Sequence, residues 1–327
     1  MFCDIGRAAS RDRSCTRQIT FALLRALPVI VLCLAGIRSY GQALSDAHQQ
    51  LLQSLEANRI QEALTLGRKF VEQWPQDAAL RHYLGLAYFK SGQLKPAREQ
   101  LEQAKSLAPK DAGIDFDLAL VSLSQQDYVR AANELESSLK AQPSNPLAHV
   151  LLGRAYLNSN RSVQAIDEFR TALQLDPSIR LGHYHLGFAY GSLGRNDEAI
   201  AEYRTELRLS GENPEVVYEL GHTLLESGNH AEAIRYLQRA TELDPQNAND
   251  WYNLGKAQLL TGDAVAAEAS LRKSIALNPA DPSPHYQLAR ALERLGKMDE
   301  ARSARQRFAD LKKSQPATAG MATARDQ

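Results

Sequence analysis

The stretch WYNLGKAQLLTGDAVAAEASLRKSIALNP, residues 251–279, reads as two helices joined at a glycine. Trp251, Leu254 and Gly255 are three and one residues apart, the spacing of a single helical face. Gly262 stands where that first helix should end, at a position where a left-handed backbone favours glycine. Pro279 stops the second segment, because proline lacks the amide a helix interior needs. The same arrangement recurs on both sides of this stretch.

Steps of 34 residues connect Ala63, Ala97, Ala131, Ala165, Ala199, Ala233, Ala267 and Ala301 without a gap or an insertion. A second series runs Pro75, Pro109, Pro143, Pro177, Gly211, Pro245 and Pro279, and a third runs Gly85, Ala119, Gly153, Gly187, Gly221, Gly255 and Ala289. Three series in one phase define an array of units beginning at Leu44, Ala78, Ala112, Pro146, Arg180, Pro214, Ala248 and Pro282. In the unit at Arg180, His183, Leu186, Gly187 and Tyr190 form the first-helix face, and Ala199, Ile200, Tyr203 and Leu207 form the second. Glycine inside a helix costs about 1 kcal/mol relative to alanine. Its recurrence implies that two helices approach too closely there for a side chain.

This pattern resembles the tetratricopeptide repeat family, whose unit is a 34-residue helix–turn–helix. Trp251, Leu254, Gly255, Gly262, Ala267 and Pro279 sit where the family signature places them, and the resemblance covers about 44–315. It implies an all-α, right-handed α-solenoid, a superhelix of eight repeats whose concave groove binds a peptide or partner protein. Departures from the pattern carry separate expectations: an imperfect or capping copy in the first unit, local slack in the fifth, and a solvent cap in the last. The first unit has Gln50-Leu51 for Leu-Gly, the fifth has Glu206 for a small residue and Gly211 for proline, and the last has Arg305 for an apolar residue. The charged helix ARSARQRFADLKK (301–313) reads as a cap on the open end, and residues 316–327 as a disordered tail.

By the repeat register, the first helices line the groove with their second, fifth, sixth, ninth, twelfth and thirteenth residues. The resulting candidates are Phe116, Arg154, Tyr184, His185, Phe188, Tyr218, His222, Tyr252, Asn253, Lys256, Tyr286 and Arg290. Aromatic contact followed by hydrogen bonding and charge suits an extended segment. The lysine and asparagine clamp of chaperone-binding family members is not matched, and the sixth-residue column holds one asparagine rather than a ladder. His183 and His185 point about 200° apart on a helix, so they do not form a chelating pair.

Residues 1–43 differ from the rest. Six arginines, no lysine and two aspartates precede or flank the apolar run ALPVIVLCLAGI (26–37), and Gly41 and Ala43 follow as small residues two apart. This is the layout of a secretory signal peptide cleaved near Ala43. The alternative is an uncleaved signal anchor, with membrane association through residues 19–38. The expected location is periplasmic or secreted. Cys3, Cys15 and Cys33 all lie in this segment, so the remainder has no thiol for a disulfide or a metal.

Lys plus Arg and Asp plus Glu are both 38. Loss of residues 1–43 would leave an acidic chain, which argues against a nucleic-acid partner. The sequence has no Gly-rich phosphate loop, no His-Glu-x-x-His and no Gly-x-Ser-x-Gly. The expectation is a non-catalytic adaptor without cofactor or metal that binds a protein or peptide. The alternative is a structural subunit of an envelope or membrane-associated complex that uses its edges.

Overall fold

The computed structural model describes residues 41–314. The predicted export segment lies outside these residues, apart from 41–43, and so does the predicted tail. Helix α1 covers residues 41–56, so it includes Gly41–Ala43 and leads without a break into the first repeat. Among the described residues there is no strand, and no helix is long and apolar enough to cross a membrane.

The helices form two compact units. The first, up to Asp127, holds α1, α2 (Ile60–Gln73), α3 (Ala78–Lys90), α4 (Leu94–Leu107) and α5 (Ala112–Ser124). The second, from Tyr128, begins with α6 (Tyr128–Ala141), α7 (Pro146–Asn158), α8 (Ser162–Leu175), α9 (Gly182–Gly191) and α10 (Asn196–Ser210). It continues with α11 (Pro214–Glu226), α12 (His230–Leu243), α13 (Ala248–Thr261), α14 (Ala264–Leu277), α15 (Ser283–Arg294) and α16 (Met298–Ser314). Odd-numbered helices are first helices of a repeat and even-numbered ones are second helices. Within the second unit each helix packs on its chain neighbours, and the first helices α7, α9, α11, α13 and α15 also touch one another in series. No comparable series joins the second helices. The first-helix face is therefore the more closely packed side of this unit.

The turn after each first helix has the left-handed backbone that its glycines predict. Gly92, Gly194, Gly228, Gly262 and Gly296 all have positive φ, and Asn58, Gln126 and Asn160 hold it at the same register. Asparagine tolerates this region better than most residues. The alanine series is the centre of the core: Ala63, Ala97, Ala131, Ala165, Ala199, Ala233 and Ala267 have no exposed surface.

The first-helix glycines of the repeat series each face one bulky side chain sixteen residues later. A Cβ on Gly85, Gly153, Gly187, Gly221 or Gly255 would come within 2.6–2.9 Å of Leu101, Phe169, Tyr203, Leu237 or Leu271. Tyr203 and Phe169 are among the largest fully buried side chains. Glycine is thus required because its partner already fills the space. In the first repeat the sizes are exchanged. Leu51, fully buried, takes the glycine position and Gly67 takes the bulky one. The space beside Gly67 is filled from the next repeat, where Leu84 would lie 2.9 Å from a Cβ placed there.

The slack expected at Glu206 is absent. First helices are normally capped by the last residue of the preceding repeat, whose side chain accepts from an amide of the first turn. Asp77, Asp111, Asn145, Asn213 and Asn247 do this for α3, α5, α7, α11 and α13. In front of α9 that position is Ile179, which has no acceptor. Helix α9 starts late, behind Leu181 in the left-handed region at φ 59°, with no side-chain cap of its own. Glu206, only 2 % exposed on α10, fills the gap. Its carboxylate accepts from the Tyr184 amide at 3.3 Å and from the Ser210 hydroxyl at 2.6 Å. An amide that a helix start leaves open is satisfied from the paired helix.

At the other end, α16 buries only Ala301 and Ala304. Arg305, where an apolar residue was expected, pairs with Glu293 at 2.5 Å and stays largely in solvent.

Candidate functional site

On the first-helix face of the second unit a cleft lies over α9. It has a volume of about 540 Å³ and is bordered by Arg154, Asn158, Tyr184, His185, Phe188, Ser192 and Glu215. A smaller cleft of about 190 Å³ continues past Phe188 and Ser192 to Tyr203, Glu219, His222 and Glu226. Phe188 borders both and is 43 % exposed.

The floor is aromatic and fixed. His185 lies flat against Phe169, with ring centroids 5.5 Å apart and planes 16° from parallel. Burial, aided by the nearby Arg154 cation, pushes its pKa down to about 4, so the ring is neutral at pH 7. Tyr184 is 8 % exposed and donates its hydroxyl to Glu215 at 2.8 Å. Burial first, then that carboxylate, pushes the phenol far up. His183, one residue away, leaves the face altogether: its Nδ1 meets Glu202 on α10 at 2.6 Å. The two histidines thus separate as their helical spacing predicts.

Acidic groups collect on the α11 side. Glu219 is pushed up to about 7, by burial first and then by Glu215. The ring of His222 stacks on Tyr218 at 5.8 Å. Its pKa is lowered mainly by burial, with Lys256 lowering it and Glu226 raising it. Lys256 pairs with Glu226 at 3.1 Å.

The sequence candidates fall into three groups. Arg154, Tyr184, His185, Phe188 and His222 converge on the connected clefts. Tyr218, Asn253 and Lys256 continue the same face but are committed to internal bonds. Buried Asn253 donates to the Tyr218 hydroxyl at 3.0 Å and to the Asn249 carbonyl at 3.1 Å. Burial pushes the Tyr218 phenol up to about 12. Tyr252 packs beside the last core cluster, Tyr286 lies against Phe308 at 5.4 Å, and Arg290 donates to Gln287 at 3.0 Å. Phe116, half-buried, belongs to the first unit. Glu215 and Glu219 also border the clefts, and both occupy columns that the repeat register assigns to the groove.

Helix pairs of fixed length, stacked by neighbour contacts and presenting one face of first helices, define an α-helical repeat protein of the interaction-scaffold class. A tetratricopeptide repeat model matches residues 116–178, 164–214, 184–248 and 218–283, more than half of the chain. Two further models of the same repeat match 54–114 and 270–303. The chain belongs to the tetratricopeptide repeat family. The comparison with curated proteins found no match. Among solved structures it is similar to a tetratricopeptide repeat protein from Parabacteroides merdae, at 15 % identity and TM-score 0.56, over 77 % of this chain and 99 % of that one. It is similar to pilF of Pseudomonas aeruginosa at 20 % identity and TM-score 0.55, over 63 % and 94 %. It is also similar to YrrB, described as a TPR protein with an unusual peptide-binding site, at 20 % identity and TM-score 0.50, over 56 % and 94 %. Proteins of this family bind protein or peptide partners and are generally non-catalytic.

Proposed function

We propose that this chain is a non-catalytic adaptor that seats an extended peptide segment of a partner along the first-helix face of α7, α9 and α11. One observation carries the reading: Phe188 stands exposed between two connected clefts, on an aromatic floor where the Tyr184 hydroxyl is already bound to Glu215. An apolar or aromatic anchor of the peptide would cover Phe188. Arg154 on one side and Glu215 with Glu226 on the other would set its direction by charge. The peptide-binding site named for YrrB is compatible with this reading at the level of the fold.

A random peptide library selected on the full chain provides the test. Phe188→Ala should leave the thermal midpoint unchanged and weaken the selected peptides at least about tenfold, or about 1.4 kcal/mol. A photoreactive residue at Ser192 should give adducts with the natural partner. Adducts formed only from 302–313, or from the outward positions of α8 and α10, would instead make the chain an edge-joined structural subunit.

We infer further that the adaptor works outside the cytoplasm, since residues 1–43 combine a basic start, a short apolar run and a small-residue end. Mass spectrometry of the purified protein should find an amino terminus near Leu44. A protein that retains Met1 in a membrane fraction would replace cleavage by anchoring.

A further inference from the structure

The fourth and twenty-third residues of a repeat face each other across its helix pair. Arg81 donates to Gln100 at 3.2 Å, and His149 and His183 each hold a glutamate, Glu168 and Glu202, at 2.6 Å. His149 is satisfied at both nitrogens, because its Nε2 also meets the Pro143 carbonyl at 3.0 Å. The last repeat keeps the histidine and loses the carboxylate: His285 stands opposite Ala304.

The consequences are visible around that imidazole. His285 is 9 % exposed, and its Nε2 is buried without a hydrogen-bond partner. Neither ring nitrogen is hydrogen-bonded among the described residues. A pocket of about 480 Å³ opens beside it, walled by Ile275 and Leu288 and floored by Ala304. Burial first, then Arg307, lowers the pKa of the ring, with Asp281 opposing; Arg307 lines the same pocket and makes no ion pair among the described residues. Two further charges border the space and cancel: Arg272 holds Glu300 at 2.6 Å. The repeats at Pro146 and Arg180 have Thr171 and Thr205 where this one has Arg307. The terminal repeat has therefore lost an internal carboxylate and gained a free cation at the same place.

We propose that this pocket is a binding site for a carboxylate carried on an apolar group, held between the His285 imidazole and the Arg307 guanidinium. The incoming carboxylate occupies the role that Glu168 and Glu202 play in their own repeats. The guanidinium offers a paired donor geometry for it, and the aliphatic walls take the adjoining side chain. The shared chemistry fits either the free end of a peptide with an apolar last residue or an acidic side chain beside an apolar one. The site uses α14, α15 and α16 and shares no residue with the clefts over Phe188.

Titration calorimetry on the full chain separates these cases with three unlabelled, N-acetylated peptides. One ends in leucine with a free carboxylate and has no acidic side chain. The second is amidated and carries one glutamate beside leucine. The third is amidated and has neither. The first or the second should bind at least about tenfold tighter than the third, and which of them is tighter identifies the source of the carboxylate. Ala304→Glu restores the internal partner. It should abolish this binding while the thermal midpoint stays or rises, which also shows that the variant is folded. Arg307→Gln should weaken it at least about tenfold, and Phe188→Ala should leave it unchanged. Equal affinity for all three peptides, or binding undiminished in Ala304→Glu, would overturn the proposal.

Discussion

The repeats at Arg180 and at Pro282 both break the family pattern, and they resolve the break in opposite ways. In the first, Ile179 removes the usual helix cap and Leu181 is left in a left-handed conformation, but Glu206 supplies the missing acceptor from the paired helix. In the second, Ala304 removes a carboxylate and nothing replaces it, so His285 stays unsatisfied beside an open pocket. A departure answered inside its own repeat belongs to the packing. A departure left unanswered leaves chemistry available to something else.

Substitutions at three positions probe that distinction. The largest effect is expected at Gly187, where the packing is already full. A Cβ there meets Tyr203 at 2.8 Å and the Ala199 carbonyl at 3.2 Å, so Gly187→Leu should cost about 1–3 kcal/mol by overpacking. Denaturant midpoints measure this, and an unchanged midpoint would mean that α9 and α10 are less closely paired than described. Next comes the compensating carboxylate. Glu206→Ala strands the Tyr184 amide and should cost about 1–2 kcal/mol, whereas Glu206→Gln retains an acceptor and should recover most of it. Equal losses in both variants would show that Glu206 acts through charge and not as a cap.

The smallest effect concerns a third departure, Asp250, which stands in the column where Leu80, Ile114, Ala148 and Val216 are buried and apolar. Its Oδ1 is buried without a partner. Burial first, then Asp244, raises its pKa from 3.8 to about 7. The unfolded chain releases this proton at the lower value and the folded chain keeps it to the higher one. The contribution to stability is therefore complete below pH 3.8 and is lost as pH rises through about 7. Urea midpoints between pH 4 and 8 should fall more steeply for the wild type than for Asp250→Asn. Parallel slopes would place the carboxyl in contact with solvent.

The fold was legible because each repeat restates it. Eight alanines in one phase are enough to place the helix pair, and the glycine after the first helix is explained by its backbone angle. The site was legible only in part. Column reading found Arg154, His185, Phe188 and His222, because a first-helix position points the same way in every repeat. It did not reveal that Tyr184 and Asn253 are buried and committed to internal bonds, since that depends on Glu215 and Tyr218 reaching them from neighbouring repeats. Glu206 and His285 were obscured for a related reason. Each column alone shows one odd residue, and its meaning lies in a second column that changes with it, Ile179 for the one and Ala304 for the other.

The cap on α9 has a consequence for how such an array can change over time. At α3, α5, α7, α11 and α13 the first turn is held by a residue that belongs to the repeat before it. Those boundaries carry a hydrogen bond across them, and a cut there removes the start of the next helix. The repeat at Arg180 carries its own starting group. A duplication, deletion or fusion with its edge at 179/180 leaves that group in place, which makes this boundary a natural seam for recombining the chain.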